Sequence, residues 1–145
     1  MPQDVMQKPA LMEVARNFFD ACEAGKGWAA CSEFCTPNAT FSAQADALAD
    51  VKTLKDYTEW NKGILVPFPD ATVDIKSFAL DDAHRNVTVY ATMTGTHTGD
   101  GGPVPPTGKK ATVDYVYSMD FEGDNIRHMT KIWNDQWSFR LVGWA

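Results

Sequence analysis

The sequence predicts an α+β fold in which a strongly curved antiparallel sheet closes against N-terminal helices to form a cone. In most of the first 66 residues, apolar side chains recur at steps of three and four, which is typical of amphipathic helices. From about residue 73 they recur at every second position, the period of strands that bury one face. No internal repeat or linker interrupts this order, so residues 1–145 are expected to form a single domain.

Two helices and a strand are predicted at the N-terminal end. An apolar stripe marks a helix over residues 11–22, which two glycines end. A short helix over about residues 28–34 ends before Pro37, because a proline disfavours helical backbone in the residue that precedes it. Residues 39–43 are predicted to form a short strand.

A third long helix is expected to begin after Thr53. The Thr53 side chain suits an N-cap, and Asp56 in the first turn is favoured by the helix dipole. Pro67 and Pro69 lie beyond the last residue of the apolar stripe and end the helix.

The rest of the chain is predicted to be a meander of strands. They are expected at residues 73–78, 87–93 and 113–121 and from residue 126 until a short terminal helix begins near Asp135. The connection over residues 99–108 holds four glycines and three prolines. Such a rim loop either carries ligand or subunit contacts or is a plain crossover between strands.

Composition excludes several classes of partner. Apolar residues make up 44% of the chain, charged residues 22%, and the net charge is −6 without a run of basic residues. Because nucleic acids and anionic membranes bind clustered positive charge, neither is an expected partner. The apolar runs are too short for a membrane-spanning helix and no signal-peptide core is present, so a cytoplasmic location is expected.

The three cysteines predict neither a disulfide framework nor a metal site. Cys22, Cys31 and Cys35 are odd in number and fall on predicted helices. Cys31 and Cys35 are four residues apart and could form a metal or redox pair, but the alternative of small buried side chains is favoured, since no further ligands complete a set.

Strand alternation assigns the side chains of the last two strands to faces. One face of the first of these strands carries Val113, Tyr115, Tyr117 and Met119. In the last strand, Met129, Lys131 and Trp133 share a side, while His128, Thr130 and Ile132 share the other. A lysine between Met129 and Trp133 is anomalous, because a buried ammonium is costly unless it is paired or loses its proton.

Several short motifs carry a family resemblance. They are the Gly-Thr-His-Thr-Gly run at 95–99, the Pro-Pro-Thr-Gly run at 105–108, the Gly-Asp-Asn-Ile turn at 123–126 and the Leu-Val-Gly tail at 141–143. With the order of elements, they resemble the SnoaL-like polyketide cyclases, a branch of the nuclear-transport-factor-2-like and ketosteroid-isomerase-like superfamily. The resemblance implies a cone-shaped fold and an intramolecular aldol ring closure that uses neither metal nor organic cofactor.

The resemblance also indicates where a site would lie. The family uses a carboxylate on the last strand and a histidine on the strand before it, and these positions correspond here to Lys131 and Tyr117. Phe41 stands near the position of a substrate-holding asparagine. All three polar residues are replaced, so the family's reaction does not transfer directly.

Lys131, Tyr117 and Asp135 are the candidate catalytic residues. A desolvated Lys131 can act as a base or form a Schiff base, and the Tyr117 hydroxyl can stabilise an enolate. Alternatively, Lys131 reaches the rim or pairs with a carboxylate from residues 46–56. Asp135 either competes for the acid–base role or, like Asn134, caps the terminal helix.

The predicted substrate-binding side chains are mostly apolar. They are Phe41, Tyr115, Met129, Trp133 and His97. His97 either borders the pocket or is a surface or hydrogen-bonded structural histidine. No histidine has the neighbours that a metal site needs, so neither a metal nor a cofactor is expected.

The leading functional hypothesis is cofactor-free cyclisation or isomerisation of a small apolar carbonyl compound inside the cone. A homodimer is expected through the outer face of the sheet. Two alternatives remain open at this level: a non-catalytic carrier or sensor of small molecules, and a dimerisation module whose cavity is filled by aromatic side chains.

Overall fold

The computed structural model describes the backbone of residues 3–145 and the side chains of residues 10–145. The helices are α1 (Gln3–Glu23), α2 (Trp28–Cys31), α3 (Leu54–Ile64) and α4 (Asp135–Leu141). The strands are β1 (Cys35–Ala43), β2 (Thr72–Asp81), β3 (Asn86–Thr96), β4 (Lys110–Glu122) and β5 (Asn125–Trp133). Short 3-10 turns lie at Ser32–Phe34 and Asp46–Leu48. The predicted α+β order of elements is confirmed.

The five strands form one curved sheet in the order β1-β5-β4-β3-β2. Strands β2 to β5 make the predicted antiparallel meander. Strand β1, however, runs parallel to β5, so the sheet is mixed rather than wholly antiparallel. The whole meander separates these two strands in the chain. No hairpin therefore fixes their relative direction, and the connection through the helical layer sets it.

Strand β1 is longer than predicted and begins at Cys35, so the assignment of Cys35 to a helix is wrong. Pro37 lies inside the strand. A proline is tolerated there because β1 is an edge strand, and the register with β5 is irregular between Cys35 and Thr40.

The predicted start of α3 and the predicted turn between the last strands are confirmed. The Thr53 hydroxyl accepts a hydrogen bond from the Asp56 backbone N–H at 3.1 Å, which caps α3. Between β4 and β5 the chain reverses at Gly123, whose φ of 60° lies in the left-handed region that glycine adopts at little cost.

The sheet faces agree with the alternation in the sequence. Tyr115, Tyr117 and Met119 are buried on the concave side of β4, as are Met129 and Lys131 on β5. They pack with apolar side chains of α1 and α3. On the opposite side of β5, Ile132 is 62% exposed. No helix within residues 3–145 combines the length and apolarity needed to cross a bilayer.

Candidate functional site

A cavity of about 90 Å³ lies between α3, α4 and the concave face of the sheet. Most of its wall is apolar and comes from Trp60, Ile64, Leu65, Phe68, Met93, Val113, Trp133, Phe139 and Val142. The polar side chains on the wall are Glu23, Asn61, Tyr115, Lys131 and Ser138. An engineered core cavity of roughly 150 Å³ accepts benzene. The cavity is smaller than that one and suits a small, largely apolar molecule.

Lys131 lies on the cavity wall and is only 7% exposed. Its Nζ donates a hydrogen bond to the Tyr57 hydroxyl at 3.0 Å. Within residues 10–145 it forms no ion pair, so it does not pair with the carboxylates of residues 46–56. Desolvation lowers the pKa of Lys131 to about 8, against the opposing negative charges of Glu23, Cys22 and Asp135.

Five aromatic rings surround the Lys131 amine. Its Nζ lies 4.3 Å from the ring centre of Trp133, 5.2 Å from Tyr57, 5.4 Å from Trp60, 5.5 Å from Tyr115 and 5.8 Å from Tyr117. We call this set the aromatic cage. Ring faces attract a cation, so the cage favours the protonated amine while burial favours the neutral one.

A chain of hydrogen bonds connects Lys131 to Glu23. From Tyr57 it continues to the Tyr117 hydroxyl at 2.5 Å, and the Tyr117 hydroxyl lies 2.5 Å from Glu23 Oε1. We call Lys131, Tyr57, Tyr117 and Glu23 the tyrosine relay. Outside the relay, Tyr115 donates to the other carboxyl oxygen, Oε2, at 2.8 Å. An amine and a carboxyl on the same cavity are thus joined through two hydroxyl groups.

Glu23 is the last residue of α1 and is partly exposed, with its side chain on the cavity wall. Burial raises the pKa of Glu23, and the hydrogen bond from Tyr117 and the charge of Lys131 oppose this rise only in part. Burial, followed by the charge of Glu23, also raises the pKa of Tyr115 and Tyr117. Both phenols therefore keep their protons at neutral pH.

The structure brings together some of the predicted site residues and leaves others outside the cavity. Lys131, Tyr115 and Trp133 line it. Tyr117 is fully buried behind the cavity wall. Its hydroxyl donates a hydrogen bond to Glu23, which does line the cavity. Phe41 stacks on Tyr57 with ring centres 4.4 Å apart and does not line the cavity.

Met129 also belongs to the core rather than to the cavity wall. It is fully buried and pairs with Phe41 of β1 and Met119 of β4 across the sheet. Its position on the concave face agrees with the strand alternation. The cavity lies farther along β5, beside Lys131 and Trp133.

Asp135 does not cap the terminal helix. Asn134 does so, because its Oδ1 accepts from the Trp137 backbone N–H at 3.1 Å. Asp135 instead is buried, and its Oδ2 accepts from the backbone N–H of Ala47 at 2.8 Å. This hydrogen bond connects the 3-10 turn at Asp46–Leu48 to the start of α4.

His97 is a buried, hydrogen-bonded histidine that does not line the cavity. Its Nδ1 accepts from Trp144 Nε1 at 3.1 Å and from the Thr107 backbone N–H at 3.2 Å. The ring of Phe68, on the cavity wall, lies 5.7 Å from the His97 ring. A Cβ on Gly102 would approach Trp144 to 2.9 Å, so the loop packs closely over this pair. His97 thus joins the loop at 99–108 to the end of the chain.

The sequence reasoning missed Glu23 and the polar role of Tyr57. Glu23 follows Cys22, which is buried, and stands four residues after Phe19, so it lies near the apolar face of α1. A charged residue in that position was the available signal. Tyr57 lies in the apolar stripe of α3, and the sequence pattern did not indicate that its hydroxyl has polar partners.

Metal-ligating side chains do not converge in the part of the chain that is described. No group of three or more His, Cys, Asp or Glu side chains there is arranged to hold a metal ion. The absence of a metal and of a cofactor stays a prediction.

Comparison with known proteins places these features in a family. The profile of the SnoaL-like polyketide cyclases matches residues 13–140. The chain belongs to the SnoaL-like polyketide cyclase family. No curated protein sequence matches it. The SnoaL-like resemblance seen in the sequence is therefore confirmed.

Solved structures of SnoaL-like and related proteins share the fold. A candidate SnoaL-like polyketide cyclase from Jannaschia is 20% identical with a TM-score of 0.75, and the match covers 92% of each chain. IdmH, a candidate polyketide cyclase from Streptomyces antibioticus, is 16% identical with a TM-score of 0.73 over 92% of this chain and 98% of its own. A ketosteroid-isomerase-like protein from Catenulispora acidiphila, solved in complex with trimethylamine, is 15% identical with a TM-score of 0.67 over 92% and 94%.

Proposed function

We propose that this SnoaL-like protein binds a small apolar aldehyde or ketone in its cavity and acts on it without a cofactor, with the Lys131 amine as the reacting group. The observation that carries the proposal is the placement of that amine, which is desolvated and lies on an apolar cavity wall. With a pKa of about 8, roughly one amine in ten is neutral at pH 7, compared with fewer than one in a thousand for an ordinary lysine.

The proposed chemistry is amine catalysis. The neutral Nζ adds to the carbonyl carbon and forms a carbinolamine, which loses water to give an iminium ion. Loss of a proton from the neighbouring carbon then yields an enamine, a carbon nucleophile. Attack of the enamine on a second carbonyl of the same molecule forms a ring, whereas reprotonation at another carbon gives an isomer. Hydrolysis returns the amine in both cases.

The family and the cavity wall support this substrate class. The SnoaL-like family is that of polyketide cyclases, whose substrates carry several carbonyl groups. Here the apolar walls suit a hydrocarbon body, and the polar groups of the cavity suit a carbonyl end. We further propose that the protein is a homodimer through the outer sheet face, where Ile132 is exposed.

Reductive trapping tests the proposal. The protein is incubated at pH 7 with propanal and saturating cyanoborohydride, and alkylation of each lysine is followed by mass spectrometry. We expect Lys131 to react about tenfold faster than the surface lysines, because far more of its amine is neutral. Lys131→Met should remove this fast phase, whereas Lys62→Met, at an exposed position of α3, should keep it. Reaction of Lys131 no faster than Lys62 would sink the proposal.

A second candidate is a carrier or sensor that binds its ligand without turnover. The aromatic cage favours it, since five rings stabilise a protonated and therefore unreactive amine. This candidate predicts slow trapping together with saturable binding of propanal. It also predicts that Lys131→Met lowers the free energy of unfolding, because the aromatic cage loses the cation that it binds.

A further inference from the structure

The geometry points to Glu23 as a second catalytic residue, which takes the proton of the Lys131 ammonium through the tyrosine relay and then donates it to the bound substrate. This inference rests on the proposed function. Glu23 lines the same cavity as Lys131, so a carbonyl compound attached to Nζ lies in the same cavity as the carboxyl group. Glu23 is outside the set of residues that the family resemblance indicated.

The first part of the argument is the continuity of the relay. From Nζ to the Tyr57 hydroxyl, to the Tyr117 hydroxyl and to Glu23 Oε1, the successive distances are 3.0, 2.5 and 2.5 Å. Each hydroxyl can both donate and accept a hydrogen bond. The protons of the relay can therefore take two arrangements, and in both of them all three hydrogen bonds between the same heavy atoms are formed.

The two arrangements differ by the net transfer of one proton from Lys131 to Glu23. In the first, Lys131 is an ammonium, Glu23 is a carboxylate, and every hydrogen bond points from the amine towards the carboxyl group. In the second, Glu23 is a carboxylic acid, Lys131 is a neutral amine that accepts from Tyr57, and every hydrogen bond is reversed. A shift of three hydrogens, one in each hydrogen bond of the relay, converts one arrangement into the other.

Burial favours the second, uncharged arrangement. Desolvation lowers the pKa of Lys131 and raises that of Glu23, so the two groups approach each other in proton affinity. Among residues 10–145, the other ionisable groups that interact with this pair are Cys22 on α1, Cys31 on α2, Tyr115 on β4 and Asp135 on α4. The relay thus supplies the neutral nucleophile and stores its proton as a carboxylic acid.

The proton held by the Glu23 carboxylic acid is needed in the step that removes water from the carbinolamine. Addition of the neutral amine to the carbonyl gives a carbinolamine, as the proton on nitrogen moves to the new alkoxide oxygen. Glu23 then protonates the carbinolamine hydroxyl, which leaves as water while the nitrogen lone pair forms the iminium bond. The products are the iminium ion, one water molecule and the Glu23 carboxylate, so atoms and charge balance.

Trapping with propanal and saturating cyanoborohydride at pH 7 separates this role from a purely electrostatic one. Loss of the Glu23 charge by itself would lower the pKa of Lys131 further and leave trapping unchanged or faster. Loss of the proton donor and acceptor would slow it. We expect Glu23→Gln and Tyr117→Phe to slow the alkylation of Lys131 at least tenfold. The matched controls Glu33→Gln and Tyr90→Phe, at exposed positions, should stay within about twofold of the unmodified protein.

Unchanged or faster trapping in folded Glu23→Gln would overturn the inference, while selective labelling of Lys131 in the unmodified protein would leave the proposed function standing. Absence of selective labelling would overturn both. If Glu23→Gln fails to fold, carboxyl carbon NMR of the glutamate-labelled, unmodified protein decides instead. One glutamate should titrate at higher pH than the rest, and its midpoint should move further upward in Lys131→Met. Titration of every glutamate in the ordinary range would contradict the relay.

Discussion

The hydroxyl oxygens of Tyr57 and Tyr117 lie 2.5 Å apart, with the Lys131 amine on one side and the Glu23 carboxyl group on the other. Tyr57 belongs to α3 and Tyr117 to β4. This contact joins the helical layer to the sheet at a buried polar position. Because each hydroxyl satisfies the next group along the relay, the four side chains should respond to substitution as a unit.

The tyrosine pair should show strong coupling in stability. Tyr57→Phe and Tyr117→Phe should each lower the free energy of unfolding by about 1–3 kcal/mol, because each leaves buried polar partners unsatisfied. The double variant should lose clearly less than the sum, since the second hydroxyl has already lost its partner. Urea unfolding of the four proteins measures the coupling. Tyr90→Phe, at an exposed residue whose hydroxyl donates to Asp114, is the control. Strictly additive losses in the double variant would refute a shared network.

Replacement of Lys131 by methionine should preserve or increase stability. Methionine has a similar length and removes the cost of desolvating an ammonium, so we expect a gain of up to about 3 kcal/mol at pH 7. The remaining carboxyl of Glu23 can stay protonated, because its pKa is already raised. Thermal and urea unfolding provide the measurement. A loss of stability would mean that the aromatic cage contributes more than burial costs.

The stability of the unmodified protein should rise with pH in the alkaline range relative to Lys131→Met. The pKa of Lys131 is about 8 when folded and about 10.4 when unfolded, so the unfolded state binds more protons between these values. The penalty for burying the ammonium is complete below pH 8 and is relieved towards pH 10.4, by about 3 kcal/mol in all. Urea unfolding of both proteins at pH 7, 8, 9 and 10 tests this. Parallel curves would show that Lys131 titrates normally.

Glu23 should have the opposite dependence at lower pH. Its folded pKa is raised, so the folded state binds more protons than the unfolded one above the ordinary glutamate pKa. Stability that Glu23 contributes in acid should therefore be lost as the pH rises through this window. The difference in unfolding free energy between the unmodified protein and Glu23→Gln should fall from pH 4 to neutrality. A difference that grows instead would indicate a stabilised carboxylate.

Asp135→Ala should destabilise the protein through Ala47. It removes the acceptor for the Ala47 backbone N–H and leaves that donor without its partner at a partly buried position, at a cost of about 1–3 kcal/mol. Asp50→Ala, an exposed position close to the same turn, should change stability by no more than about 0.5 kcal/mol. Thermal unfolding compares them. Equal melting temperatures would show that the Asp135 contact contributes little.

His97→Leu should cost more stability than Trp144→Phe. The leucine leaves both the Trp144 indole N–H and the Thr107 backbone N–H unpaired, whereas the phenylalanine removes one donor together with part of a ring that packs on Phe68 and Phe139. We expect losses of about 2–4 and about 1–2 kcal/mol respectively. Hydrogen exchange should also speed up at Thr107 in His97→Leu. Unchanged exchange there would show that His97 does not hold the loop.

The sequence was informative wherever local spacing determines structure. The cap at Thr53 and the burial of Tyr115 and Tyr117 on one face follow from neighbours within a few residues, and the structure agrees. Lys131 was identified for the same reason, since alternation alone placed a charge on an apolar face. These features need no knowledge of the rest of the chain.

Features that depend on distant parts of the chain were not accessible in this way. Which of Asn134 and Asp135 caps α4 depends on the position of the Asp46–Leu48 turn, nearly ninety residues earlier. The carboxyl partner of the Lys131 amine comes from α1 and is reached through two tyrosines from different elements. Spacing gives no information on such convergence, because only the packing of α1 and α3 on the sheet produces it.

The parallel pairing of β1 with β5 also has a consequence for the order of folding. β1 has no other strand partner in the described sheet, and Phe41 of β1 pairs with Met129 of β5. Pairing of β1 with β5 closes a long loop of the chain. The entropic cost of this closure delays the pairing until the intervening meander has collapsed. During synthesis, β1 can pair within the sheet only after β5 has been synthesised. Because Lys131 belongs to β5, the relay too can be complete only after the last strand has joined the sheet.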